Sequence, residues 1–451
     1  MEINNSILND KKTLIIFTYA NVGFGHLRVT DAISQELKNN SNYIFLRGED
    51  KVVSFFHRIT SIHPALRIMF EWLQNGKAED VLTFFYKTIL FLTSGKLEKK
   101  LKIVIKQTKK PIKKVIIIAT HFSLAHQIAR VRKALEREMD IQLFLIVQVT
   151  DDSPQHMWFV KDADLIFVPS EYTKKGLESY GKKDNQKLLN IKVLPYPVSE
   201  TLTKSLTTDK YKKKLFQYDL NSEESIRMII PISGAAVGMK YFINFIDSLF
   251  KSSQRFKIHI ILKRTPYTQF FIKSLKNKKQ ITLKAYKQDT KVIDAYENIY
   301  KKFTFGFEIT KPSEQAFKAL VDTSSLGGPI LLFTKPVGRQ EYDNLRFLRR
   351  NKLIPSKNDQ KYLQDAFLKD LKLDSKILNK AKYWRGLRLF EDPNKSVKLI
   401  LWCLKQGVFK QMGNFRQDSI SKNSLKFEIR PDGVHKFWEE VEAYIRNYKK
   451  T

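Results

Sequence analysis

Twice along the chain, a short β-branched apolar run leads into a turn of small residues and then into apolar residues at helical spacing. Thr13 to Thr18 (TLIIFT) is the first run. Asn21-Val22-Gly23-Phe24-Gly25-His26 follows it, and Leu27, Ala32, Ile33 and Leu37 then recur as on one helix face. Met228 to Pro231, the turn Ser233-Gly234-Ala235-Ala236-Val237-Gly238 and a helix reaching Phe250 repeat the pattern. An uninterrupted apolar strand is one covered on both faces, and strands separated by helices belong in a parallel sheet. The chain is therefore predicted to be α/β, with two Rossmann-like domains facing a central cleft.

Further strands fall where this alternation needs them. They are Val115 to Ala119, Gln142 to Val149, Ala163 to Pro169, Ile191 to Leu194, Lys257 to Leu262, Phe303 to Ile309 and Pro329 to Phe333. Helices are expected over Ala125 to Arg137, after Ser170 as a cap, and over Ser313 to Val321. Ser199 to Glu224 is polar and without strong periodicity, and reads as a linker. The expected division is 1–200, a linker over 201–224, a second domain over 225–404, and a tail over 405–451 whose end, Val434 to Tyr448, is helical. Val52 to Leu92 stands apart, with Phe55, Phe56, Trp72, Phe84, Phe85 and Phe91 among basic residues at helical spacing. It reads as two or three aromatic amphipathic helices inserted in the first domain.

Composition narrows the partners. Among 451 residues, 80 Lys and Arg against 46 Asp and Glu give a formal charge of +34. An anionic partner follows: a phosphate-bearing substrate, an acidic membrane surface or a nucleic acid. Part of the excess is background Lys usage, because it is spread along the chain. A nucleic-acid partner is disfavoured, because basic and aromatic residues follow no nucleic-acid module such as RNP1. The single cysteine, Cys403, excludes a disulfide framework and a cysteine zinc site. No apolar run is long enough to cross a bilayer, and the first residues do not read as a signal peptide. The expected location is cytoplasmic.

Ligands of open α/β sheets bind beyond the carboxyl ends of strands, so polar residues there carry the candidate chemistry. Gly23 and Gly25 let backbone approach a ligand at a helix amino end, and His26 at that mouth is a candidate general base. The alternative is a plain turn with an exposed histidine. Thr120-His121 ends the strand from Val115. Asp151 follows the strand from Gln142, with His156 and Trp158 close behind, and its carboxylate could orient an imidazole or move a proton. Its neighbour Asp152, or Ser153, serves equally as a helix cap. Glu314 stands where a carboxylate accepts both hydroxyls of a ribose, or merely where the helix dipole favours it. Gln340 and Glu341 with Asn344 place polar groups around one helical turn, suited to sugar hydroxyls or to a capped surface helix. Asp162-Ala163-Asp164 precedes a strand instead of ending one, so it is not read as a metal site. No P-loop, HExxH or GxSxG is present.

In order, these pieces resemble the two-domain GT-B glycosyltransferases, especially the monogalactosyldiacylglycerol synthases and processive diacylglycerol glucosyltransferases. The resemblance rests on Gly23-Phe24-Gly25-His26, on Val149-Thr150-Asp151 with His156, Trp158 and Ala163 to Glu171, on Ile309 to Glu314, and on Pro336 to Asn344. It spans Leu14 to Leu353. Pro312 runs straight into Ser313-Glu314 where that family carries Gly-Pro-Gly. The resemblance implies transfer of a sugar from a UDP-sugar, with no cofactor or metal required, to the hydroxyl of a membrane lipid. His26 would be the base, with Asp151 beside it. Gly23, Gly25, His121, His156 and Trp158 would receive the acceptor. Gly234, Gly238, Lys311, Glu314, Gln340, Glu341 and Asn344 would hold the donor. Lys240, Lys263, Arg264, Lys311 and Arg339 are the candidate cations for the leaving diphosphate. The aromatic helices would sit peripherally on the anionic inner face of the membrane. A soluble acceptor or a nucleotide-sugar epimerase would use the same architecture.

Overall fold

The computed structural model describes residues 8–20, 25–37, 42–48, 74, 76–108, 111–183, 189–232, 236–414 and 426–448. Gly23, Gly234 and the Val52 to Leu73 part of the aromatic segment lie outside them. The chain divides into two units. Unit 1 comprises Met1–Ser199, Val337–Gln340 and Arg430–Thr451; unit 2 comprises Glu200–Pro336 and Glu341–Ile429.

Unit 1 is built on a parallel sheet of six strands: β1 (Thr13–Ala20), β2 (Tyr43–Gly48), β3 (Lys114–Ala119), β4 (Gln142–Gln148), β5 (Leu165–Val168) and β6 (Ile191–Val193). Their order is β2-β1-β3-β4-β5-β6, with Thr18 level with Ala119 across β1 and β3. β1 is buried along its whole length, as a strand covered on both faces must be. Leu14, Ile16, Val115, Ile117, Leu143 and Leu145 meet helix residues Ala125, Ile128 and Leu135 in one core. Helix Gly433–Asn447 closes the unit: Trp438 Nε1 donates to the carbonyl of Ile33 at 2.8 Å, and Phe437 packs edge-on against Phe167.

The aromatic segment forms, from Gly76 onward, a single helix reaching Lys106. Leu90, Leu97, Leu101 and Ile105 recur at sevens and fours and are buried, and the Tyr86 hydroxyl meets Ser123 Oγ at 2.8 Å. Val81, Phe84, Phe85, Ile89, Phe91 and Leu92 are exposed, Leu92 by 76%.

Unit 2 has its own parallel sheet: β7 (Ile226–Ile232), β8 (Phe256–Lys263), β9 (Ile281–Tyr286), β10 (Phe307–Thr310), β11 (Ile330–Leu332) and β12 (Gly386–Arg388), in the order β12-β11-β10-β7-β8-β9. Counted from β7, that is the 3-2-1-4-5-6 order of the doubly wound dinucleotide fold. Its core joins Met228, Ile230, Phe242, Phe245, Ile258 and Ile260. The predicted two Rossmann-like domains are thus present as two six-stranded α/β units.

Two expectations differ from the structure. The segment read as a linker over 201–224 holds helices Glu200–Thr203 and Thr208–Phe216 and is packed into unit 2. Tyr211 donates to the carbonyl of Gly413 at 2.6 Å, and the buried Lys214 donates to that of Ser325 at 2.9 Å. A polar composition concealed these anchors because their partners are backbone carbonyls, not apolar side chains. The helix expected over Ser313 to Val321 is a tighter 3-10 helix, Glu314–Leu320.

Candidate functional site

Each sheet has one place where the connections leave in opposite directions, and ligands of such sheets bind there, at the carboxyl edge. In unit 1 this point lies between β1 and β3; in unit 2 it lies between β7 and β10.

At the unit 1 switch point, helix Gly25–Ser34 is the next element after β1. His26 Nδ1 lies 2.7 Å from the carbonyl of Thr120, which ends β3, and 3.2 Å from Thr150 Oγ1. A carbonyl only accepts, so Nδ1 carries the proton. In the neutral ring, Nε2 then bears the lone pair, which is what a general base needs. The geometry is fixed from behind. Thr30 Oγ1 donates to the carbonyl of His26 at 2.7 Å and meets Thr120 Oγ1 at 2.8 Å, while the Tyr196 hydroxyl donates to the carbonyl of Thr150 at 3.0 Å.

His121 stands edge-on to His26, with ring centroids 4.8 Å apart. It is fully buried and caps helix Phe122–Met139, its Nδ1 accepting the N–H of Ser123 at 3.3 Å. Accepting at Nδ1 puts the proton of the neutral ring on Nε2, which has no hydrogen-bond partner among the described residues. Burial first, and then the neighbouring His26, hold its pKa well below the ordinary histidine value. His121 is therefore a neutral donor beside the base.

The remaining unit 1 candidates follow β4 in the chain. Asp151 is buried at the end of β4. Asp152 accepts from Thr173 Oγ1 at 2.9 Å and from Ser170 Oγ, and so pins the start of helix Glu171–Lys183. His156 stacks on Tyr180 at 3.9 Å; its Nδ1 is 2.7 Å from Asp80, and its backbone N–H donates to Glu79 at 2.9 Å. Trp158 is buried in the unit 1 core, edge-on to Phe122, so its ring serves packing there. Arg339 Nη1 meets Glu79 at 2.5 Å, and Gln340 Oε1 accepts from Gln155 at 3.5 Å. Asp164 accepts from Leu145 N–H and pairs with Arg132 at 2.9 Å, a structural role.

At the unit 2 switch point, Gly238 precedes helix Met239–Ser252 with φ at +82°, a conformation that suits glycine. A Cβ there would fall 2.4 Å from the ring of Phe333, so the glycine is needed for close packing as well. Beyond β10, Thr310 Oγ1 donates to Gln315 Oε1 at 2.7 Å. Lys311 Nζ pairs with Glu341 at 2.7 Å, both largely buried. Glu314, half-buried at the first position of the 3-10 helix, has no hydrogen bond or ion pair among the described residues. Asn344 is buried three residues after Glu341 on helix Gly338–Arg350. That helix crosses the division of the chain, so Gln340 counts with unit 1 while Glu341 and Asn344 count with unit 2.

The 3-10 helix is clamped from below. Glu308 of β10 is buried and accepts from the hydroxyls of Tyr296 at 2.5 Å and Tyr300 at 2.7 Å, and it pairs with Lys318. Sequence reasoning missed this cluster, because a Glu within an apolar strand reads as a solvent-facing residue. It also missed Thr30 and Thr150 as orienting groups, although Thr30 stands one helical turn after His26. Among the candidate cations, Lys263 pairs with Asp289 at 2.6 Å, Lys311 with Glu341 and Arg339 with Glu79. Lys240 and Arg264 are exposed. Among the described residues no three metal-ligating side chains converge, and no helix is long and apolar enough to cross a membrane.

No protein-family model matches the sequence, and no curated protein does. Among solved structures the chain is similar to a Staphylococcus aureus MnaA–UDP complex, with 11% identity and a TM-score of 0.47, over 97% of this chain and 98% of that one. It is similar to Acinetobacter baumannii MurG, with 9% identity and a TM-score of 0.44, over 96% and 99%. It is similar to Arabidopsis thaliana UGT89C1 in complex with UDP, with 9% identity and a TM-score of 0.43, over 96% and 99%.

Proposed function

We propose that the protein is a glycosyltransferase of GT-B type that moves a sugar from a UDP-sugar to an acceptor hydroxyl, with a membrane lipid as acceptor. The observation that carries this reading is the fixed state of His26. The 2.7 Å contact from Nδ1 to the Thr120 carbonyl leaves Nε2 as a base at a switch point, where a ligand is expected.

In the reaction, His26 Nε2 takes the proton of the acceptor hydroxyl. The acceptor oxygen forms a bond to the anomeric carbon, and the bond from that carbon to the diphosphate oxygen breaks. UDP leaves with the electron pair. Glu314 is free to accept the ribose hydroxyls. The amino end of helix Met239–Ser252 and Lys311 stabilise the charge that grows on the diphosphate. Lys311 is neutralised by Glu341 before a ligand arrives, so donor binding exchanges one partner for another. Gln340, Glu341 and Asn344 face the donor sugar in this reading. In this reading Gly25, His121 and His156 belong to the acceptor side, and Asp151 is the carboxylate that acts with the base.

Support for a lipid acceptor comes from helix Gly76–Lys106. An exposed face of Phe84, Phe85, Ile89, Phe91 and Leu92, on a chain of charge +34, suits an anionic bilayer.

The test is thermal unfolding with UDP, GDP, ADP and CMP. A ligand that binds only the native state stabilises by about 2.7 kcal/mol at 100-fold saturation. A shift with UDP alone, absent in Glu314→Ala, is the expected result. No shift with any nucleotide overturns the reading. Turnover of a UDP-sugar to its epimer without any acceptor would favour the epimerase alternative.

A further inference from the structure

Strand β10 carries a charge where its neighbours carry none. Glu308 is buried and stands level with Ile229 of β7 and Ile330 of β11, both fully buried. Helix Asp289–Lys302 brings two buried hydroxyls to one of its oxygens: Tyr296 donates to Oε2 at 2.5 Å and Tyr300 at 2.7 Å. The other oxygen, Oε1, pairs with Lys318, whose Nζ also stands 4.9 Å from the centre of the Tyr296 ring. Burial, and then Glu308, raise the pKa of Tyr300 well above the ordinary tyrosine value, so its hydroxyl keeps the proton that it donates.

Packing alone does not call for this set. An apolar side chain like those of Ile229 and Ile330 would fill the layer, and a buried ion pair often stabilises no more than apolar residues of its size. What the set adds is direction. Lys318 belongs to the 3-10 helix Glu314–Leu320, so Glu308 ties that helix to β10. A second tie lies nearer the helix start. Thr310 Oγ1, also on β10, donates to Gln315 Oε1 at 2.7 Å, and both residues are buried. Gln315 directly follows Glu314. Between them, the two ties fix the backbone that carries Glu314, whose half-buried side chain has no hydrogen bond or ion pair among the described residues. A carboxylate on a fixed backbone loses less freedom when it accepts a pair of hydroxyls.

We propose that Glu308, Lys318 and Thr310 are positioning residues for the donor: through the 3-10 helix they hold Glu314 where its two oxygens meet the 2′- and 3′-hydroxyls of a ribose, and so make the site selective for ribonucleotides over deoxyribonucleotides. The proposal rests on the assignment of Glu314 to the ribose. Loss of either tie then acts on recognition of the ribose hydroxyls and not on the rest of the nucleotide.

The test is calorimetric titration of the full chain with UDP and with 2′-deoxy-UDP. The native chain is expected to bind UDP about tenfold or more tightly than 2′-deoxy-UDP, as for loss of a hydrogen bond to a charged group, and Glu314→Ala to abolish that preference. Glu308→Gln/Lys318→Met keeps an acceptor for the two tyrosines and loses the first tie, while Thr310→Val keeps the shape and loses the second. Each is expected to cut the preference to about threefold or less, with the affinity for 2′-deoxy-UDP changed by less than about twofold. If the double variant does not fold, Tyr300→Phe, which removes one donor to Glu308, takes its place and is expected to cut the preference about twofold. A preference that Glu314→Ala abolishes and the tie variants keep overturns this proposal alone. So does an equal loss of affinity for both nucleotides, which is what a merely structural role would give. A native chain without the preference, or one whose preference survives Glu314→Ala, overturns the ribose assignment and this proposal together.

Discussion

The two units share one architecture and differ in what they place at the switch point. Unit 1 presents a pair of histidines. His26 is held by a carbonyl, and His121 is buried beside it, its pKa held well below the ordinary histidine value by burial. Unit 2 presents ion pairs: Lys311 with Glu341, Lys318 with Glu308, Lys263 with Asp289. An imidazole whose Nδ1–H is held by a carbonyl presents Nε2 for moving a proton. The Lys311–Glu341 pair is suited to meeting a charged ligand, because Lys311 can exchange its internal partner for an external one. One fold, used twice, thus supplies two different electrostatic surfaces.

The sharpest break in this comparison is His26→Ala. It is expected to lower sugar transfer by about 10²–10⁴-fold, the usual worth of a positioned base, while leaving the UDP-induced thermal shift intact. Transfer assayed in single turnover, beside the thermal shift, checks both halves. Equal loss of both would mean that unit 1 does not hold the proton chemistry alone.

Next in size is Lys318→Met. It strands the buried Glu308 carboxylate under the 3-10 helix and is expected to cost about 3–5 kcal/mol of stability in urea unfolding. The second change Glu308→Gln should recover part of that loss. A cost near zero would mean that the pair is not a clamp.

Glu314→Ala should weaken UDP binding by about 1.5–3 kcal/mol, the worth of hydrogen bonds to a charged group, with little change in stability, because Glu314 holds no hydrogen bond or ion pair among the described residues. Isothermal titration with UDP reads this directly.

The effect smallest per pH unit is a matter of acid and base. His126 of unit 1 is buried, with Nε2 2.9 Å from the carbonyl of Met157, and burial and the charge of Lys87 lower its pKa to about 3. The unfolded value is near 6.5. Between those values the unfolded chain binds the proton and the folded chain does not, so stability falls as pH drops through that window. His121 adds to the same slope, and His259 of unit 2, lowered to about 4, does so from the other sheet. His126→Gln should flatten the acid limb by up to about 1.4 kcal/mol per pH unit. Lys214 of unit 2 works at the opposite end. Burial lowers its pKa to about 7, so stability is expected to rise with pH from 7 towards 10.5, and Lys214→Met should remove that rise.

Strands that are apolar throughout were legible, because burial on both faces demands such runs. β1, β3, β4, β5 and β11 are largely of that kind, and β7 and β8 keep an apolar run beside one or more charged residues. The strands that patterning missed are β2, β9 and β12, and each lies at a sheet edge. Tyr43 and Phe45 of β2 are exposed, β9 is half-buried, and β12 has only three residues. An edge strand keeps a wet face, so it loses the continuous apolar signature. The helical final segment was legible from Phe437, Trp438, Val441 and Ile445, which are buried in unit 1.

Within the site, the sequence by itself determined which residue types stand after which strands: His26 after β1, His121 after β3, Glu314 after β10. Local periodicity and turn chemistry suffice for that. Only the tertiary structure decided that β1 neighbours β3 and that β7 neighbours β10, and these pairings make a switch point of those loops. It alone decided that Thr120 fixes the tautomer of His26 from 94 residues away, that Trp158 packs in a core, and that Lys311 is already neutralised. Strand order and long-range hydrogen bonds depend on which surfaces bury one another, and no local spacing in the chain encodes that choice.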